Sequence, residues 1–201
     1  MTDLVDALNR LRDAEARAPA RHLPLPLGSL LPVVAGALLG LPRSDWWVPG
    51  PREQIGAVLR DVPLERLTSD RAGARPYRVA PVIASPALRA IAAVGLASAD
   101  PARGALVHLG IGSMASGDAH EAFNLAALRA ANVVFVVAVA PLDRAGSPLA
   151  QQLAATPADL ARAFTLTAVD VDGADAAAVR SAVATARAAG GPHVIVAYTS
   201  P

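Results

Sequence analysis

The sequence predicts an α/β fold built on a mostly parallel sheet, and three features carry that prediction. Beyond residue 80, short apolar runs alternate with longer stretches of helical composition, the order of a βαβ chain. One of these runs, Val133–Val139, is apolar from end to end and rich in β-branched residues, as a central strand buried on both faces requires. A glycine-rich stretch, Gly110–Gly117, follows another run directly, at the place where a parallel sheet presents its ligand-binding edge. Strands joined through helices imply right-handed crossovers and helices on both faces.

The elements follow in order. An opening amphipathic helix carries Leu4, Leu8 and Leu11 on one side. An apolar helix is predicted around Leu30–Leu41, and a third helix begins near Pro51. Asp70–Pro81 holds Arg, Gly and Pro in the proportions of a loop. Ser85-Pro86 supplies an N-cap and a first-turn proline for a helix to about Ala99. A strand is predicted at Ala105–Leu109, then the glycine loop, then a helix starting at Asp118 with Glu121 placed to close a capping box. After the Val133–Val139 strand, Thr156-Pro157 opens another helix. Leu166–Val171 is a strand, Ala174–Ala189 a helix closed by Gly190-Gly191, and His193–Tyr198 the last strand. The chain thus divides near residue 80 into an N-terminal helical extension packing on the core, residues 1–80, and a parallel α/β domain, residues 81–201.

Composition narrows the function. Of 201 residues 53% are hydrophobic and 17% charged, enough for a sizeable core; with only 3% aromatic, that core is made of Ala, Val and Leu. A net charge of +1 gives no electrostatic case for nucleic acid. With no cysteine, disulfides, zinc-thiolate sites and thiol nucleophiles are excluded. The first 21 residues are charged and amphipathic, without the basic-then-apolar order of a signal peptide, so the cytoplasm is the expected compartment. Leu23–Pro42 is uncharged and long enough to cross a bilayer, but Pro24 and Pro26 leave roughly four helical turns, so a buried core helix is expected instead.

Gly110-Ile111-Gly112-Ser113-Met114-Ala115 matches a dinucleotide fingerprint of the form G-x-G-x-x-A, yet that motif should run straight into its helix, and here the capping signals start the helix at Asp118. The stretch Gly110–Ala127, GIGSMASGDAHEAFNLAA, resembles the α subunit of thiamine-diphosphate-dependent 2-oxo acid dehydrogenases. In that family a strand ends in Gly-Asp-Gly and a loop leads to a helix beginning Gly-Asp-x-His-Glu-Ala-x-Asn. Gly117, Asp118, His120, Glu121, Ala122 and Asn124 match it. The likeness continues through Asn132–Val137, Val171–Asp175 and Gly191–Thr199, and more faintly back to Asp45–Glu53. The resemblance implies the fold of thiamine-diphosphate-binding domains.

It also implies where the cofactor site should be. The family holds the diphosphate through a divalent metal, bound by the Asp of Gly-Asp-Gly, an Asn at the end of the next strand and a backbone carbonyl, the oxygen ligands a hard cation needs. The Asp position here is Ile111; the Asn-Asn position falls at Val139-Ala140, 28 residues on. The family's phosphate-binding Tyr-Arg corresponds to Pro51-Arg52. The expectations are therefore vestigial cofactor contacts at Arg52, Gly110 and Gly112, no catalytic residue, no metal ligands, and loss of both thiamine diphosphate and Mg²⁺. Asp118 and Glu121 read as helix-capping groups and His120 as a structural residue; Trp46-Trp47 reads as a surface anchor or a filler beneath the sheet.

The leading expectation is a non-catalytic α-like subunit that assembles with a β-like subunit into a heterotetramer, with neither nucleic acid nor membrane as partner. One alternative is an active decarboxylase subunit with an altered cofactor site. Another is a nucleotide-binding module using the Gly110 and Gly112 amides. Helix Asp118–Ala131 has small or apolar residues on two sides (Ala122 and Ala126, then Phe123, Ala127 and Ala130), so its second face is expected either to meet another subunit or to be covered by the N-terminal helices.

Overall fold

The computed structural model describes residues 3–18, 26–69, 74–83, 85–140 and 153–199. Strands β1 (Trp46–Val48), β2 (Ala105–Gly110), β3 (Val133–Val139), β4 (Thr167–Asp172) and β5 (His193–Tyr198) form one sheet in the order β1-β2-β3-β5-β4. Every pairing is parallel. The last four are the strands predicted from sequence. The first was not predicted: the segment before residue 80 contributes a strand as well as helices. Trp46-Trp47 thus lies in the sheet itself, where Trp46 pairs with Ala105 and Trp47 with Leu106. Residues 78–80 run along the outer side of this strand, since Trp47 N donates to the Arg78 carbonyl and Ala80 N to the Trp47 carbonyl.

The helices are α1 (Leu4–Arg17), α2 (Leu31–Gly40), α3 (Leu64–Ser69), α4 (Pro86–Ala99), a single turn α5 (Ile111–Met114), α6 (Gly117–Leu128), α7 (Pro157–Ala163) and α8 (Ala176–Ala189), with a 3₁₀ helix at Glu53–Arg60. Helices α4, α6 and α7 cover one face. There Phe123 and Phe135 meet edge to face at 4.8 Å, amid alanines and the inward valines of β2, β3 and β5. Helices α1, α2 and α8 with the 3₁₀ helix cover the other face, over Trp47, Leu106, Val134 and Ile195. The crossovers explain this division. The chain passes from β3 through α7 to the far edge strand β4, then returns through α8 on the opposite face to slot β5 between them.

Helix α2 is buried on nearly every side, as its uncharged sequence requires. It is ten residues long, and no described helix is long and apolar enough to cross a membrane. Gly36 and Gly40, one turn apart, let it lie directly on α8: a Cβ at Gly36 would fall 2.8 Å from Val179 Cβ, and one at Gly40 2.9 Å from Val183 Cβ. In α1 the buried face centres on Ala7, Leu11 and Ala14, with Leu4 and Leu8 at its margin.

At the amino end of the sheet a buried polar frame joins the N-terminal segment to α8. The Asp45 carboxylate accepts from Arg187 Nε at 2.5 Å and from Gly104 N at 3.0 Å. Arg60, almost fully buried, donates to the carbonyls of Arg43, Asp45 and Tyr77. Burial, with Arg43 nearby, lowers the Arg60 pKa to about 10.

Two local expectations are corrected. Helix α6 is capped by Ser116 rather than Asp118: the Ser116 hydroxyl accepts from Ala119 N at 3.3 Å and donates to the Ser113 carbonyl at 2.8 Å. A serine already in extended conformation can face the helix amides, which leaves Asp118 exposed in the first turn and Glu121 exposed just beyond it. The inward surface of α6, Ala119, Ala122, Phe123 and Ala126, is covered within the chain by α4 and the sheet, not by the N-terminal helices. Arg129 and Ala130 are exposed.

Candidate functional site

The carboxyl ends of β2 and β3 lie side by side, with Gly110 in register with Ala138. Directly after Gly110 the chain turns once through α5, so Gly112 sits inside a helical turn rather than in an open loop. Ser113 and Met114 are buried, and the His120 ring closes the turn: its Nε2–H donates to the Met114 carbonyl at 2.9 Å, while the ring lies 6.0 Å from that of Phe164. His120 therefore holds structure, as expected. A side chain at Gly110 would meet nothing within 4 Å, so the space above this strand end is open.

Hydrocarbon lines this edge. Val139 is 3% exposed and belongs to the core on the α4–α6 side, and Ile111 packs partly buried against the same cluster. The Val139 carbonyl accepts from Thr199 N at 3.0 Å and from the Thr199 hydroxyl at 3.4 Å, so the residue following β5 satisfies the end of β3. No group of three or more His, Cys, Asp or Glu side chains among the described residues is arranged to hold a metal ion. Arg52 stands at the start of the 3₁₀ helix on the loop after β1, exposed and unpaired with any described residue.

A polar cluster not anticipated from sequence occupies the carboxyl end of β1 and β2. His108, 3% exposed, sets its ring edge-on to Trp47 at 6.0 Å, and its Nε2 has no partner among the described residues. Burial, with Arg89 nearby, pushes its pKa down to about 3, so the ring is neutral at physiological pH. Arg89 is 5% exposed; its Nη1 reaches the Ile83 carbonyl at 3.5 Å and its Nε is unpartnered among the described residues. Its guanidinium and the Glu53 carboxylate converge above Gly50, where a Cβ would lie 2.7 Å from Arg89 Nη1. Burial lowers the Arg89 pKa, and the charge of Glu53 opposes that shift. The one sequence signal was Arg89 itself, the single charge in an otherwise apolar helix.

A family model for the dehydrogenase E1 component matches residues 78–197, more than half of the chain. The chain belongs to this family. No curated protein matches it. The match, beginning just before α4 and ending within β5, supports a 2-oxo acid dehydrogenase E1 component of the α type. The all-parallel five-stranded sheet with helices on both faces agrees with a thiamine-diphosphate-type fold.

Gly110, Ile111, Gly112 and Val139 lie inside the matched region and Arg52 outside it. The structure brings Gly110, Ile111 and Val139 together at one sheet edge, where the resemblance leads one to expect metal ligands. The side chains there do not fit a metal–diphosphate group. A divalent cation needs several oxygen ligands, and both expected ligand positions carry hydrocarbon, Val139 in the core and Ile111 partly buried against it. Its desolvation there would go uncompensated.

Proposed function

We propose that this chain is an E1 α-type subunit that has lost metal and thiamine diphosphate binding and serves as a non-catalytic assembly subunit beside a β-type partner, in a heterotetramer. The observation that carries the reading is the pair Ile111 and Val139, one partly buried against and one within the same apolar cluster, at the positions where the family pattern has oxygen ligands. The Thr199 bonds to the Val139 carbonyl support it, because they occupy a backbone acceptor at the same strand end. The retained frame supports the assembly half: the sheet, both helical layers and the His120-closed turn are intact around the altered edge. Arg52 and the amides of Gly110 and Gly112 are then remnants of a cofactor site, and the cytoplasm is the compartment in which such a subunit would act.

Titrating the purified chain with thiamine diphosphate in the presence of Mg²⁺, by calorimetry, tests the reading. The expected result is no saturable binding. Saturable, Mg²⁺-dependent binding would favour the catalytic alternative, with Arg52 as the first residue to examine.

A further inference from the structure

Between α4 and the outer side of β1 lies a groove of about 660 Å³, within the range of about 300–1,000 Å³ that small-molecule sites occupy. Ala92, Leu96 and Ala99 of α4 line it from one side, and Trp46, Pro81 and Ile83 from the other. The α4 wall is hydrocarbon, because the one charge of that helix, Arg89, is buried. Polarity changes along the groove. Residues 78–80 run parallel to β1, with Val79 bridged to Trp47. Arg75 therefore stands at the amino end of that strand, while Pro81 and Ile83 lie toward its carboxyl end. Arg75 is exposed, and one 3₁₀ turn later Arg78 sets a second guanidinium 5.2 Å from the centre of the Trp46 ring. One end of the groove is cationic and the other is apolar.

We propose that this groove binds an amphiphilic carboxylate, a straight-chain acyl acid of medium length, with its head at Arg75 and its tail along Trp46 and α4 toward Ile83. Charge chooses the head: a guanidinium pairs with a carboxylate through two parallel N–H bonds, and Arg75 lines the groove at one end only. Shape chooses the tail. From Ala92 to Ala99 the α4 wall extends about 10 Å at 1.5 Å per residue, the reach of a medium-length chain. Gly95 also lines the groove, and a Cβ there would meet nothing within 4 Å, so methylene groups can lie against the helix backbone. Trp46 opens β1 in register with Ala105 at the start of β2, so this wall stands at the end of the sheet opposite Ile111 and Val139. The inference therefore stands apart from the cofactor reading above.

The test is to titrate octanoate into the full chain by calorimetry, following tryptophan fluorescence alongside. The expected result is saturable binding that weakens about fourfold for each methylene removed, from octanoate through hexanoate to butyrate. Octanol, with the tail but no charge, should bind about tenfold more weakly, and octylamine, with the opposite charge, not at all. Two variants probe the groove, with Glu121→Gln on exposed α6 as the control. Gly95→Leu fills the groove and should abolish binding; Arg75→Glu should weaken it by about tenfold or more; the control should leave it unchanged. Open space at Gly95 and the exposure of Arg75 leave the fold undisturbed, which circular dichroism and melting temperature verify. Octanoate that gives no saturable heat, or that binds Gly95→Leu as well as the unmodified chain, overturns the site. Equal affinity for octanoate, octanol and octylamine overturns the recognition of a carboxylate. A chain that takes no octanoate, associates with itself and becomes monomeric with Gly95→Leu overturns the proposal in favour of a protein contact.

Discussion

Replacing Arg187 with methionine would strand a buried carboxylate. Asp45 is 2% exposed and Arg187 11% exposed by side chain, and the pair joins residues far apart in sequence across the amino end of β1 and β2. Asp45 Oδ2 depends on Arg187 Nε, while Oδ1 keeps Gly104 N at 3.0 Å. Gly104 makes room for the guanidinium, since a Cβ there would lie 2.6 Å from Arg187 Nε. Methionine preserves most of the stem packing and removes only the charge and the donors. Breaking a buried pair from one side costs about 3–5 kcal/mol, a large share of the ~5–15 kcal/mol that stabilises a domain. Urea unfolding at pH 7 should show that loss as a lower midpoint at unchanged slope. Adding Asp45→Ala removes the stranded charge, so the double variant should be more stable than Arg187→Met alone, with a coupling of about 2–3 kcal/mol. A loss below ~1 kcal/mol for Arg187→Met, or strictly additive single losses, would refute the buried pair as the tie at this end.

Burial holds the His108 pKa near 3, below its unfolded value of about 6.5, so between those values the unfolded chain binds the extra proton. Stability should therefore be fully present above about pH 6.5 and fall by up to ~1.4 kcal/mol per pH unit below it; His108→Leu should flatten the profile by one proton, which denaturant melts from pH 4 to 7 would read. Gly36→Ala and Gly40→Ala each place a methyl group against α8, at 2.8 Å from Val179 Cβ and 2.9 Å from Val183 Cβ. Each should lower stability by about 1–3 kcal/mol despite better helix propensity, and neutral or stabilising substitutions in urea melts would contradict the close α2–α8 contact. Ser116→Ala should cost about 1 kcal/mol by the same measurement, whereas Asp118→Ala should cost less because Asp118 does not cap.

The parts of the fold legible in the sequence were those with periodicity or punctuation. Val133–Val139 could be read as a doubly buried strand from its composition, and Thr156-Pro157 as a helix start from its cap and proline; the structure has α7 at Pro157–Ala163 with the Thr156 hydroxyl accepting from Asp159 N. Strand β1 has three residues, too few for alternation to show, and it exists because β2 and residues 78–80 pair with it from both sides. The displaced α6 cap, Ser116 in place of the expected Asp118, follows from the extended backbone of Ser116, which composition does not show. At the site, the expectation at Ile111 and Val139 rests on the spacing of motifs, and the structure adds that the two lie at one sheet edge. The Glu53–Arg89–His108 cluster was not legible, because it joins a 3₁₀ helix, an α-helix and a strand that meet only in the folded chain.

The most direct test of the account is calorimetric titration of thiamine diphosphate and Mg²⁺ into three samples: the chain alone, the chain with its β-type partner, and the variant Ile111→Asp, Val139→Asn, Ala140→Asn. The account predicts no saturable heat for the first two. It predicts Mg²⁺-dependent binding for the third only where the turn at Ile111–Met114 opens to admit the ligands. Saturable, Mg²⁺-dependent binding at micromolar cofactor by the unmodified chain would contradict the claim that the hydrocarbon at Ile111 and Val139 has closed this site.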